Sequence, residues 1–598
     1  MPGRSIGEHG VIGNQDTIAL VASDGTIDFL CWPHLDSPSV FAALLDPEKG
    51  GEFSITPVLE DARRIQLYIP ETNVLVTRWM ADDGSVELTD FMPHPEAGVR
   101  LPRSLVRCVR VSRGKVKVRA CCRPRLDYAS RTPEAQEYGD TVVFHDGAHS
   151  LRLGASVPLV TDDGEARAEF ELTVGDSAWF VVCDEECDPL DARECAAALE
   201  ATADAWRRWT RRSNYRGRWR EHVDRSALVL KLLVSHEHGS IAAAGTFGLP
   251  EATGASRNWD YRASWMRDAS FTVYAFMRLG YVDEAEHFRQ WSEERFMELA
   301  DGAALRVTYA LDGSEALKES TLDHLAGYAG SRPVRIGNAA RSQTQLDIFG
   351  ELLDSIYLSN KYGRAISHAG WAHVKRLVDH VCAHWRDADE GMWEVRDKPR
   401  HFLHSRLMCW VALDRAVRLA RKRSLPGTVV EWATERDRIS DDIWTNFRHP
   451  EHGYFVQTKG GRDLDAAALM MPLVRFVSAT DPVWLKTLDA IGEQLTDDGM
   501  VFRYRNADGL EGGEGAFTTC TFWYVECLAR AGRLEEARDV MARGVHYANH
   551  LGLFSEELSV RAEPLGNFPQ ALTHLAFISA AYYLDRRLSS PQGEVWQP

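Results

Sequence analysis

The same helical hairpin occurs twice in this 598-residue chain. The segment Arg278–Ala285 (RLGYVDEA) is echoed by Arg530–Ala537 (RAGRLEEA), and each copy follows a nearly all-apolar stretch and leads into a charged, amphipathic one. Gly280 and Gly532 stand where the end of a helix favours the left-handed conformation. Each copy therefore predicts a buried inner helix, a tight turn and an outer helix with one wet face.

The number of helical segments predicts how these hairpins assemble. About twelve helices follow Trp219, with long loops between them, and His404–Arg421 carries apolar residues at the i, i+3, i+4 spacing of one buried face. Six hairpins would close into an (α/α)6 barrel, because each inner helix must bury its apolar surface against its neighbours. The functional site would then lie in the longer loops at one end of the barrel.

The first ~185 residues have the pattern of strands instead. Leu105–Ala120 alternates apolar and polar residues on both sides of Arg113–Gly114, which predicts a hairpin, and Glu169–Cys183 repeats the pattern around Gly175–Asp176. Asp-Gly turn signals recur throughout this region. We therefore predict a multidomain protein with an antiparallel β-sandwich over residues 1–190, a helical linker over 191–218 and an all-α (α/α)6 barrel over 219–598.

Charge and hydropathy exclude several classes of partner. At a net charge of −18, nothing offsets repulsion from nucleic-acid phosphates or from an anionic membrane surface. No stretch approaches the ~18 apolar residues that span a bilayer, and the N-terminal residues lack the apolar run of a secretion signal. We expect a cytoplasmic protein, and large sandwich faces are compatible with a homodimer.

The cysteines and histidines give no metal motif. The eleven cysteines are irregularly spaced and form no pair of CxxC motifs, which fits a reducing compartment and argues against structural zinc. His546 and His550 have the spacing of a zinc helix, but no Glu follows His546, so we interpret them as two ordinary histidines. A calcium loop of EF-hand type is also absent from the sequence. We predict no metal site.

One segment combines aromatic and charged residues at unusual density. Residues 257–270 read RNWDYRASWMRDAS, with three aromatic residues, three arginines and two aspartates in fourteen positions. Aromatic rings cover the apolar C–H faces of a sugar, while Asp and Arg hydrogen-bond its hydroxyl pairs. The segment is either a sugar site or the start of a helix with buried ion pairs. In the first interpretation Tyr261, Trp265, Arg267 and Asp268 bind the substrate.

Three later loops share this character, and two of them carry candidate catalytic carboxylates. Glu394 follows Trp393 in the first, and Glu556 lies in the third. One carboxyl group that stays protonated and one that acts as a base or nucleophile can cleave a glycosidic bond, and an adjacent tryptophan raises the pKa of the acid by desolvation. Glu394 suits the acid and Glu556 the base. Taken singly, a glutamate of this kind is far more often a solvated surface charge than a catalytic group. The second loop, residues 501–521, adds Arg503, Tyr504, Glu511 and Glu514.

These segments together resemble glycoside hydrolase family 15, which contains glucoamylases, glucodextranases and one class of trehalases. The similarity covers nearly the whole chain in order. It is carried by GVIGNQDTIALVASDGTIDFLCWPHLDSPSVFAALLD near the N-terminus, and then by RNWDYRASWMRDAS, GYAGSRPVRIGNAARSQTQLDIFGE, GMWEVRDKPRHFLHSRLMCW, GEGAFTTCTFWYVE and SEELSVRAEPLGNFPQALTH.

The resemblance implies a β-sandwich joined by a helical linker to an (α/α)6 barrel, and exo-hydrolysis of small α-glucosides with inversion and without a cofactor. Glu394 matches the general acid and Glu556 the general base, which inversion sets roughly 6.5–9.5 Å apart. The other matches are substrate-binding positions: Arg267 and Asp268, which hold the non-reducing glucose in subsite −1, Trp393 beside the acid, and Arg503.

The chain departs from the fungal glucoamylases where the sugar of subsite +1 would bind. Their second, substrate-binding glutamate after the acid is replaced by Val395, and their GNPW step reads GEGAF. Glu514 and Arg400 are our candidates for the missing contact. These departures favour trehalose as the substrate, with isomaltose or maltooligosaccharides as the alternative. A disaccharide phosphorylase and a non-catalytic sugar-binding protein remain as hypotheses of another class. The SEE context of Glu556 argues against the phosphorylase, and the presence of both glutamates argues against the binding protein.

Overall fold

A computed structural model describes residues 3–98, 102–298, 305–362, 365–510 and 512–590. Within these ranges no helix is both long enough and apolar enough to cross a membrane. The chain divides into an N-terminal region of strands and a C-terminal region of helices, as the sequence predicts.

Fifteen strands are described in the N-terminal region, and every pairing between them is antiparallel. They are β1 (His9–Gly13), β2 (Ile18–Ala22), β3 (Ile27–Cys31), β4 (Ser39–Phe41), β5 (Glu52–Val58), β6 (Arg63–Tyr68), β7 (Leu75–Met80), β8 (Gly84–Phe91), β9 (Ser104–Arg123), β10 (Glu134–Tyr138), β11 (Thr141–His145), β12 (Ser150–Ala155), β13 (Val160–Asp162), β14 (Glu165–Thr173) and β15 (Ser177–Cys183).

Strand β9 belongs to both layers of this region. Its first half pairs with β8 and β15, and its second half pairs with β5 and β14. The alternating apolar side chains of both layers form one buried core, which includes Phe53, Leu88, Val118 and Phe180. Period-2 alternation over such long strands therefore produces a two-layer antiparallel sandwich.

Both predicted hairpins are wrong. Residues 105–120 lie in the single strand β9. Strands β14 and β15 both run antiparallel to it, one after the other, pairing Thr173 with Lys115 and Ser177 with Arg110. Gly114 and Gly175 have positive φ angles of 80° and 93°. Each glycine therefore marks an irregularity where the strand passes from one layer to the other, instead of a reversal of the chain.

Fourteen helices are described, and the last twelve follow Trp219. They are α1 (Leu126–Ala129), α2 (Ala192–Thr210), α3 (Arg220–Leu233), α4 (Met266–Leu279), α5 (Val282–Glu298), α6 (Asp347–Tyr362), α7 (His368–His384), α8 (Leu403–Arg423), α9 (Val429–Asn446), α10 (Met470–Leu473), α11 (Pro482–Gln494), α12 (Thr518–Arg530), α13 (Leu534–His546) and α14 (Ala571–Ser589).

The inner helices close into a ring. Helix α4 packs against α6, α6 against α8, α12 against α14, and α14 back against α4, while the short α10 lies between α8 and α12 with the 3₁₀ turn Ala466–Leu469. Helices α5, α7, α9 and α13 each pack outside the inner helix that precedes them, and α3 packs on α14. This arrangement is the predicted (α/α)6 barrel.

The repeated hairpins have the predicted ends. Helix α4 ends at Gly280, which has a left-handed φ of 94°, and α5 begins at Val282. Gly532, with φ of 84°, stands one residue further past the end of α12, after the right-handed Ala531, and α13 begins at Leu534. Because an L-residue with a side chain rarely adopts this φ, glycine fixes the sharp turn in both copies.

Eleven short strands occur among the described residues of the C-terminal region, in the loops between helices. They are β16 (Phe247–Pro250), β17 (Asn258–Asp260), β18 (Ser264–Trp265), β19 (Thr308–Tyr309), β20 (Ser320–Thr321), β21 (Arg335–Ile336), β22 (Thr496–Asp497), β23 (Met500–Val501), β24 (Ala516–Phe517), β25 (Glu557–Leu558) and β26 (Pro564–Leu565). Strands β24, β25 and β26 form a three-stranded sheet that places residues 556–567 beside the start of α12.

Candidate active site

The four segments singled out in the sequence meet at one end of the barrel. Each immediately precedes an inner helix: residues 257–265 precede α4, 389–402 precede α8, 501–517 precede α12 and 553–570 precede α14. Side chains of the first three segments surround a cavity of about 370 Å³, whose wall includes Trp259, Tyr261, Trp393, Glu394, Arg396 and Arg503. Two larger cavities, of about 620 and 730 Å³, lie among the helices. Among the described residues, none from these four segments lines either of them.

Glu394 is held in a fixed orientation beside Trp265. The indole N–H of Trp265 donates a 2.6 Å hydrogen bond to Oε1 of Glu394, and a guanidinium nitrogen of Arg267 lies 3.5 Å from the same oxygen. The backbone of Glu394 has a φ of 57°, in the left-handed region that a residue with a side chain rarely adopts. Burial raises the pKa of Glu394, and Arg267 and Trp265 oppose the rise.

Glu556 is buried, and only one of its two carboxylate oxygens accepts a hydrogen bond. Its Oε2 accepts a 2.9 Å hydrogen bond from the backbone N–H of Asn567, while Oε1 has no partner within the described residues. Burial and the nearby carboxyl group of Glu251 raise its pKa well above the ordinary range. Burial, followed by the charges of Glu556 and Glu394, raises the pKa of Tyr261 well above its ordinary value. Both glutamates therefore act electrostatically on a tyrosine that lines the cavity.

Arg267 and Asp268 form a rigid pair in the first turn of α4. The Nε of Arg267 donates to Oδ1 of Asp268 at 2.8 Å, and its Nη1 donates to the carbonyl oxygen of Met392 at 2.7 Å. Both side chains are buried and lie outside the wall of the 370 Å³ cavity, as do Trp265 and Glu556. The pair therefore lies next to Glu394, which Arg267 contacts at 3.5 Å.

A charged network lies beside Glu556. Glu251, Glu514 and Glu557 each bring one carboxylate oxygen within 4.8 Å of the others, a spacing that could hold a metal ion. A single guanidinium nitrogen of Arg503 contacts all three, at 3.2 Å from Glu251, 3.3 Å from Glu557 and in a short hydrogen bond to Glu514. The arginine therefore supplies the cation that this carboxylate cluster requires.

Two of the predicted binding residues have other positions than the sequence suggests. Glu514 lies behind Arg503, outside the cavity wall, and also accepts a hydrogen bond from Arg257 at 3.1 Å. Arg400 is 41% exposed, pairs with Asp397 at 2.7 Å and does not reach the cavity. Glu511 lies outside the described residues.

Sequence reasoning missed Glu251, Arg396 and Asp508. Glu251 contacts Arg503 and accepts from the indole N–H of Trp259, Asp508 binds Arg257 through both oxygens, and Arg396 lines the cavity. Arg396 lies two residues after Glu394, the candidate acid, and this closeness in sequence could have identified it as a site residue. An isolated Glu251 in a loop carries no such signal.

The comparisons with known proteins agree with this geometry. A family described as glycosyl hydrolases family 15 matches residues 217–582, and one described as "Trehalase-like, N-terminal" matches residues 3–191. A protein named trehalase from Mycolicibacterium smegmatis is 36% identical over 97% of this chain and 91% of its own length, and a trehalase from Thermoplasma volcanium is 35% identical over 97% and 93%.

The fold has a counterpart among solved structures. A bacterial glucoamylase crystallised with acarbose superposes with a TM-score of 0.72 at 14% identity, over 98% of this chain and 95% of that one. The barrel and the family match define a glycoside hydrolase. The chain belongs to glycosyl hydrolase family 15.

Proposed function

We propose that this enzyme hydrolyses trehalose with inversion, using Glu394 as the general acid and Glu556 as the general base. The observation that carries the proposal is a pair of glutamates whose carboxyl groups are held by hydrogen bonds. Glu394, 15% exposed, accepts from the indole N–H of Trp265, and the buried Glu556 accepts from Asn567 and keeps one oxygen without a partner among the described residues. Trehalose as the substrate is supported by relatives named trehalase that match 97% of the chain.

The hydrogen bonds of Glu394 assign its proton to one oxygen. Oε1 accepts from Trp265, so Oε2 carries the proton and donates it to the glycosidic oxygen. The raised pKa keeps this carboxyl group protonated at higher pH than an exposed glutamate. Because Trp265 and Arg267 fix Oε1, the protonated oxygen has a defined direction.

The base acts through the free oxygen of Glu556. Oε2 is held by Asn567, which leaves Oε1 to accept a proton from a water that attacks the anomeric carbon. Its raised pKa makes Glu556 a strong base once ionised, and the positive charge of Arg503 favours the ionised form. The substrate glucose would be held by Arg267 and Asp268, with Tyr261, Trp265 and Trp393 around it.

The products distinguish the mechanisms. Inverting cleavage of trehalose releases one β-glucose from the attacked ring and one α-glucose from the leaving ring, so NMR at early times should show equal amounts. Retention would give α-glucose alone and would refute the roles proposed for the glutamates. Turnover that requires phosphate and yields a glucose phosphate would identify a phosphorylase. Faster turnover of maltose or isomaltose than of trehalose would refute the substrate assignment.

We also propose domain boundaries at residues 190 and 218, a cytoplasmic location and a homodimer. Helix α2, which begins at Ala192 after an Asp191 capping box, supports the first boundary, and limited proteolysis followed by mass spectrometry tests it. The acidic net charge and a small soluble substrate support the location, which cell fractionation tests. Light scattering during size-exclusion chromatography tests the dimer.

A further inference from the structure

Trp259 is covered by two arginines that share one carboxylate. The Cζ of Arg396 lies 4.0 Å and that of Arg335 4.7 Å from the centre of the Trp259 ring. Arg396 donates to both oxygens of Glu319, at 2.9 and 2.6 Å, and Arg335 lies 3.5 Å from Glu319. The indole N–H of Trp259 is itself bonded to Glu251 at 3.1 Å, so the ring cannot rotate freely.

Only Arg396 of this pair lines the active-site cavity. Its side chain is 25% exposed, whereas that of Arg335 is 15% exposed and lies outside the cavity wall. Trp259 is 7% exposed, so a sugar entering the cavity meets the guanidinium of Arg396 more than the ring beneath it. Arg396 is also close enough to Glu394 for its charge to oppose the rise in the pKa of that acid.

The neighbouring residue cannot make a polar contact through its side chain. Val395, which follows the acid candidate, is apolar and nearly buried, and its carbonyl oxygen accepts from Gln343 at 3.3 Å. A planar guanidinium has five N–H donors, and Glu319 uses two of those on Arg396. Donors therefore remain for a pair of sugar hydroxyls beside the acid.

We infer that Arg396 recognises the leaving-group sugar of the substrate in subsite +1, as a specificity-determining residue fixed in advance by Glu319 and Trp259. This inference rests on the proposed hydrolysis of a glucosyl disaccharide. Because the guanidinium is held by a bidentate ion pair and by stacking, little conformational entropy is lost when a sugar binds. The residue would thus select substrates whose leaving group carries vicinal hydroxyls.

The experiment compares two substrates in three variants. Trehalose has hydroxyls on its leaving group, and methyl α-glucoside has none, yet both leaving groups need protonation by Glu394. In Arg396→Gln we expect kcat/KM for trehalose to fall about 10- to 100-fold, mainly through KM, as for loss of a charged hydrogen-bond donor. The value for methyl α-glucoside should change by less than about threefold. Arg396→Lys, which keeps the charge but not the planar fork, should be intermediate.

Arg335→Gln is the matched control. It removes the other arginine over Trp259, also a partner of Glu319, and should leave the ratio of the two substrates unchanged. An equal loss on both substrates in Arg396→Gln, or the same change of ratio in Arg335→Gln, would overturn the inference. Wild-type turnover of trehalose is measured first, because its absence refutes the proposed function, whereas equal ratios in the variants refute only the role of Arg396.

Discussion

Replacing Trp265 with Phe should raise the pH at which the proposed general acid, Glu394, loses its proton. The indole N–H of Trp265 donates a 2.6 Å hydrogen bond to Oε1 of Glu394, and this bond lowers the pKa of the glutamate against the larger raising effect of burial. Phenylalanine keeps an aromatic ring in the 1%-exposed position beside Tyr261 and removes the N–H donor together with one ring of the indole.

The size of the effect follows from the charge on the acceptor. A hydrogen bond to a charged group contributes about 1.5–3 kcal/mol, and one pKa unit corresponds to about 1.36 kcal/mol. The bond stabilises the ionised carboxylate more than the neutral acid, so its loss should raise the pKa of Glu394 by about 1–2 units. Since the side chain of Glu394 is only 15% exposed, solvent replaces little of the lost interaction.

The assay is the pH dependence of kcat/KM on trehalose, which reports groups in the free enzyme. A general acid works while protonated, so activity is lost as pH rises through its pKa, and the basic limb should move to higher pH in Trp265→Phe. Trp393→Phe is the control, because its indole N–H bonds Asp465 at 2.9 Å and not Glu394. A basic limb that stays in place in Trp265→Phe, or moves to lower pH, would refute the assignment of Glu394 as the acid.

Four further substitutions test other parts of the site and fold. Glu394→Gln and Glu556→Gln should each reduce kcat by about 10²- to 10⁴-fold with an unchanged thermal midpoint, and near-normal turnover in either would remove that residue from its role. Glu251→Gln removes a carboxyl group that raises the pKa of Glu556, so the acid limb of the same pH profile should move to lower pH; a move to higher pH contradicts the proposed base. Arg262→Met leaves the buried Asp260 without its charged partner and should lower the free energy of unfolding in urea by about 3–5 kcal/mol. A decrease below about 1 kcal/mol, which is typical of surface ion pairs, would refute this prediction.

The local pattern of the chain determined most of its elements. Glycine at positions 280 and 532 ended the inner helices as predicted, because the left-handed turn depends on one residue and its immediate neighbours. Apolar residues at helical spacing produced inner helices that are buried nearly all round, such as α12, since a barrel surrounds each of them. The motifs RNWDYRASWMRDAS and SEEL likewise identified the family without any coordinates.

The same local reasoning failed for strands β9, β14 and β15. Alternation of apolar and polar residues is identical in a hairpin and in one long strand, so the glycines at 114 and 175 were interpreted as reversals. The partner strand decides whether such a segment folds into a hairpin or into one long strand. Here β9 and the β14–β15 pair lie side by side for their whole length, and no sequence window contains that information.

Only the tertiary structure decided which side chains share the site. Glu394 and Trp265 lie 129 positions apart in the chain, and Arg503 and Glu251 lie 252 apart, yet each pair is in contact. Arg400, a few residues after the acid, faces solvent with Asp397 instead. The physical reason is that helix propensity and turn chemistry act over a few residues, whereas burial of charge is settled by packing across the whole barrel. The sequence determined the family, the helices and the catalytic candidates, and the closed ring of inner helices decided their neighbours.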